Sequence, residues 1–100
     1  MNNMKAAMIL FDSELREEVF MLMKISEIVN YTLMPNLFGS GNQGKKEGSV
    51  AWPGKNEILM LVISESEFAA IKNNLMLFKK EKTGAEGILF FAWELSEVVL

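Results

Sequence analysis

The sequence predicts an α+β domain whose elements run strand, helix, strand, strand, helix, strand. Three observations carry that expectation. Three continuous apolar runs have the length of strands, two stretches place apolar residues at helical spacing, and a proline falls inside the weakest strand-like segment. At 100 residues the chain has the size of one domain, 1–100.

The run KAAMILFD, 5 to 12, is short, apolar and stopped by a polar pair, as a buried first strand would be. SELREEVFMLMKI follows with Leu15, Val19, Leu22 and Met23 on one helical face. Glu14, Glu17 and Glu18 sit near the positive helix start, and Asp12 or Ser13 is the expected cap. YTLMPNLF, 31 to 38, is the second strand; Pro35 cannot donate to a sheet ladder, so this strand belongs at an edge.

NEILMLVIS, 56 to 64, holds six apolar residues in a row and is the strongest strand signal. Ser64 and Glu67 then fit the capping box, and Phe68, Ile71, Leu75 and Phe78 continue as a helix running to the lysines at 79 to 82. Gly84 is the expected stop, GILFFAW, 87 to 93, the last strand, and ELSEVVL closes the chain. This order is the ferredoxin-like βαββαβ pattern, a four-stranded antiparallel sheet with the first and third strands central.

Composition narrows the function classes. The net charge of −3 and pI near 5.0 do not suit a nucleic-acid binder. With no cysteine and no histidine, thiolate chemistry and the common zinc and copper sites are excluded. The opening apolar run is too short and wrongly flanked for a secretory signal, and no run approaches a membrane span, so a soluble cytoplasmic protein is expected. Half of the residues are apolar, yet two helices cover only one face of a sheet. The strands at 6 to 11, 58 to 63 and 88 to 93 lack alternating polar residues, which predicts that the second face packs against copies of the chain.

Residues 39–55 form a 17-residue segment without periodicity. Loops of that length in compact domains tend to be functional. Lys45, Lys46 and Lys55 against Glu47 give it +2 on a body of −5, and Trp52 is a large ring that either packs down or meets a partner. A basic, glycine-rich loop suits phosphate or an acidic surface.

The stretches TLMPNLFGSGNQG, 32 to 44, and KTGAEGILFFAWELSEVV, 82 to 99, together with the element order, resemble the PII-like signalling proteins. The resemblance implies a homotrimer with inward-facing sheets and a long loop between strands 2 and 3, the T-loop, that docks on a target protein such as a transporter or enzyme. It places Gly39, Gly41 and Gln43 at the loop base, where the family holds an adenine nucleotide between subunits. Thr83, Gly84 and Gly87 would form the facing turn, with Lys55 supplying charge near the loop's return. Lys45 and Lys46 would steer the target, and Val50 and Trp52 would anchor it. A plain turn role is the other reading of each glycine.

The likeness is to a divergent member. The Thr-Gly turn is shorter than in nitrogen-sensing members and lacks their following aspartate and lysine, the C-terminal arginines are missing, and the loop has no tyrosine to modify. A CutA-like divalent-cation tolerance trimer is the second choice, on the likeness of SVAWPGKNEILMLVI to the approach to its third strand. No metal site is assigned, because Met8, Met21, Met23, Met34, Met60 and Met76 all fall in predicted elements and are expected to fill the core. A small dimeric enzyme is the third alternative, but no residue is nominated as catalytic. The helix-start positions of Glu17, Glu18, Glu65 and Glu67 explain them by capping and dipole.

Overall fold

The structure is a computed structural model that describes residues 4–38, 55–82 and 87–99. Strand β1 (Lys5–Asp12) leads through a 3-10 turn, Ser13–Leu15, into helix α1 (Arg16–Ile25). Strands β2 (Thr32–Leu37) and β3 (Asn56–Ile63), helix α2 (Glu65–Glu81) and strand β4 (Leu89–Glu94) follow. The sheet order is β2-β3-β1-β4, antiparallel at every pairing. This is the ferredoxin-like arrangement, with β1 and β3 central.

Each boundary has a local cause. Asp12 caps the first turn by accepting from the Glu14 amide at 2.9 Å. At Ser64 the full capping box forms. Its hydroxyl accepts from the Glu67 amide at 3.2 Å, and its own amide donates to the Glu67 carboxylate at 2.9 Å. Helix α1 ends in a Schellman motif, in which Ile28 N–H reaches the Met23 carbonyl and Glu27 N–H the Lys24 carbonyl, each at 3.0 Å. The residue that must turn left-handed there is Glu27, at φ 61°, where glycine is the usual occupant.

Pro35 lies on β2, which pairs only with β3 and is an edge strand, as its missing N–H requires. Beside it the register slips between Met34 and Leu37, and Asn36 takes φ 60°, a conformation its short polar side chain tolerates. The last strand begins at Leu89 rather than at 87, because Gly87 and Ile88 belong to the turn that leads into it. Gly84, the expected helix stop, lies outside the described residues; α2 ends at Glu81 with Lys82 as its C-cap.

The two helices cover one face of the sheet. Ala7, Ile9 and Phe11 of β1 and Leu59, Leu61 and Ile63 of β3 meet Val19, Met23, Ile71 and Leu75 in the core. Among the described residues no helix covers the other face. Across it run Val62, Ala6 and Trp93 in one row, Met60, Met8 and Phe91 in the next, and Ile58, Leu10 and Leu89 in the third. The residues alternate in burial while both faces stay apolar, so the open face of the protomer leaves Val62, Leu89, Phe91 and Trp93 exposed.

The methionines correct one expectation. Met23 alone among the six is buried in the core; Met8, Met34 and Met60 lie half-buried in β1, β2 and β3, whereas Met21 and Met76 are exposed on the helices. Leu15, Val19, Leu22 and Met23, placed on one helical face by spacing, are all buried, whereas Met21 lies off that face.

Candidate functional site

Topology brings the segments of interest to one end of the sheet. Strand β1 finishes there at Asp12, opposite Asn56 at the start of β3, and Asn56 is also opposite Leu37 at the end of β2. The 39–55 segment therefore leaves and re-enters the fold at this end. Helix α2 runs back from Glu65 toward it, and β4 starts there with Leu89 opposite Leu10.

Two of the residues nominated from sequence are described, and the structure draws both to the β1–α1 junction. The Lys55 carbonyl accepts from the Ser13 amide at 2.6 Å, which ties the loop's return to the start of the first helical turn, and the Lys55 side chain is exposed. Gly87 faces Asp12: a Cβ on it would meet the Asp12 Cβ at 3.9 Å, an ordinary contact. Gly87 is thus placed by a neighbouring strand end without its size being a requirement. Gly39, Gly41, Gln43, Lys45, Lys46, Val50, Trp52, Thr83 and Gly84 lie outside the described residues.

A buried ion pair that sequence reasoning did not nominate stands beside them. Glu57 is 2% exposed on the helix-covered side of β3. It is gripped from two sides by Arg16, whose Nε donates to one carboxylate oxygen at 2.9 Å while Nη2 donates to the other. Hydrogen bonding to Glu57, then its charge, raises the Arg16 guanidinium above its already high ordinary value, against a smaller lowering effect of burial. The signal was present in the sequence. Glu57 has the parity of Leu59, Leu61 and Ile63, so its carboxylate points into the core and needs a partner. Arg16 is the chain's one arginine and opens the helix that crosses above it.

This end also holds Lys79, whose ammonium donates to the Ile88 carbonyl and fastens the turn before β4 to helix α2. The site thus combines an exposed lysine, a fixed arginine and two chain reversals. Among the described residues no group of three or more acidic, cysteine or histidine side chains is arranged to hold a metal ion. Nor is any described helix long and apolar enough to cross a membrane.

No protein-family profile and no curated protein matches the sequence. Solved structures do match the fold. CPII, a nitrogen regulatory PII-like protein from Thiomonas intermedia K12 bound to ADP, AMP and bicarbonate, superposes with a TM-score of 0.72 at 14% identity, covering 97% of this chain and 94% of that one. Its apo form superposes at 0.67 over 92% of this chain and 88% of that one, at 14% identity. A protein from Thermus thermophilus assigned to PII-like signaling gives 0.62 at 20% identity, over 92% of this chain and 85% of that one.

The chain has the PII-like fold. At this identity the likeness fixes architecture and element order, and the side chains must be argued individually. In this topology the end of β2, the start of β3 and the start of β4 lie at one end of the sheet.

Proposed function

We propose that the chain is a non-catalytic PII-like regulator. It forms a homotrimer through its open sheet face, binds an adenine nucleotide or similar anion at the subunit clefts, and uses residues 39–55 to dock on a target protein in the cytoplasm. The observation that carries this reading is the uncovered apolar face formed by Met8, Met60, Val62, Phe91 and Trp93 in a PII-like fold. Such a face on a helix-backed sheet is stable in water only when another surface covers it.

Binding at the sheet end deepens that reading. Lys55 and the turn at Thr83, Gly84 and Gly87 contact the ligand, with Gly39, Gly41 and Gln43 at the loop base. Ligand occupancy then biases the loop between arrangements, and Lys45, Lys46, Val50 and Trp52 meet the target, a transporter or enzyme, in one of them. That neighbours of the same fold hold ADP, AMP and bicarbonate supports an adenine nucleotide as the first ligand to try.

The test pairs oligomer mass with a thermal-shift titration using ADP, AMP and bicarbonate. A trimer mass and a rise in melting temperature with nucleotide, lost in Lys55→Ala, are the expected results. A monomer or dimer mass removes the trimeric reading, and no shift with any of the three removes the proposed ligand. Trp52→Ala is expected to leave mass and melting temperature unchanged, because its ring serves the target and not the body.

A further inference from the structure

The outer surface of the helix layer carries a second apolar feature, on the side opposite the open sheet face. A shallow groove of about 400 Å³ runs between α1 and α2, lined by Glu17, Glu18, Met21, Leu22, Ile25 and Phe78. Met21 and Ile25 are one helical turn apart and each more than half exposed, although the helix has enough apolar residues to fill its core-facing side without them. Among the described residues they form an exposed apolar stripe. Glu17 and Glu18 give the lining a charge of −2, with Lys82 3.9 Å from Glu18 at its edge.

We propose that this groove is a docking site for an amphipathic helical segment of a partner protein, one with aliphatic side chains along one face and lysine or arginine beside them. Charge and shape select that occupant over the others. A second copy seated by a two-fold axis would bring Glu17 and Glu18 against or near their own mates, in a chain whose net charge is already −3. An anionic membrane surface is repelled by the same carboxylates. A basic helix instead pairs its cations with them while its apolar residues, at i, i+3, i+4 and i+7 spacing, lie over Met21, Ile25 and Phe78. Methionine suits such a surface because its unbranched, polarizable side chain adapts to differently shaped partners. All the lining residues belong to one protomer, so this site stands whether or not the chain assembles through its sheet.

The probe is a fluorescein-labelled synthetic helical peptide with leucines at the four anchor positions and lysines flanking them, titrated with the full chain and followed by anisotropy. Saturable binding that weakens as salt is raised is expected. Met21→Gln with Ile25→Gln should weaken it at least about tenfold, and Glu17→Gln with Glu18→Gln several-fold with a flatter salt dependence. Equal melting temperatures for the variants and the parent chain show that the fold is intact. No binding to the lysine peptide, equal binding of a glutamate-flanked version, or unchanged affinity in the Met21 and Ile25 variant each overturns the proposal. So does a concentration-dependent rise in mass that the same variant abolishes, since a second copy would then be the occupant.

Discussion

Replacing Phe91 with glutamate strikes the middle row of the open sheet face, on its edge strand β4, while leaving the protomer's own core alone. Phe91 sits opposite Met8 and stacks on Trp93, with ring centroids 6.1 Å apart. Val62, Leu89, Phe91 and Trp93 are 46%, 54%, 42% and 43% exposed. With full areas of roughly 150 to 250 Å² per residue, they leave about 350 Å² of apolar surface per chain for an assembly to cover. At about 25 cal/mol per Å² that is about 9 kcal/mol per chain, and Phe91 holds about a quarter of it. Association itself costs roughly 4 to 15 kcal/mol, so the margin is narrow. Losing about 2 kcal/mol of burial and placing a carboxylate in each copy of a dry interface, at several kcal/mol more, removes that margin. Sedimentation equilibrium at micromolar concentration should therefore give a trimer for the parent chain and a folded monomer for Phe91→Glu. The Trp93 emission should move to longer wavelength as its ring becomes wet. An unchanged mass in the variant would refute the assignment of this face to the assembly.

Three further outcomes follow from the structure. Arg16→Met strands a buried carboxylate, so its melting temperature should fall by about 10 °C or more, and adding Glu57→Leu should recover much of the loss; no recovery in the double variant would mean that Arg16 acts through something other than Glu57. Glu27→Gly relieves the left-handed residue of the Schellman motif and should raise stability by about 1 kcal/mol in urea unfolding, where Glu27→Ala should not. Lys5 donates to Glu94 at 3.2 Å and lies 3.6 Å from Glu65; that hydrogen bond first, and the two carboxylate charges, hold its ammonium above the ordinary 10.5. A raised folded value means that its contribution is complete below the unfolded value and is lost as the pH climbs through the higher folded one. Melting curves taken through the alkaline range should therefore fall more steeply for the parent chain than for Lys5→Met, and parallel curves would show that the pairing contributes nothing.

What contiguous residues encode was legible without the fold. Strand, helix, strand, strand, helix, strand follows from apolar runs and spacings within a dozen residues. Ser64 and Glu67 announce a helix start because both partners of the capping box lie in one turn. Pro35 marks an edge because a missing donor is a property of the residue itself. The apolar content of β1, β3 and β4 already implied a second face that water should not reach. Only the tertiary structure decided the rest, because it depends on elements distant in sequence. Glu57 finds Arg16 across 41 positions once β3 passes beneath α1. Lys55 and Gly87 meet the β1–α1 junction because antiparallel pairing sets the end of β1 beside the starts of β3 and β4. Helical spacing put Leu15, Val19, Leu22 and Met23 on the core-facing stripe, and all four are buried; that Met21 and Ile25, off that stripe, line a groove with Phe78 needed the packing of α1 beside α2.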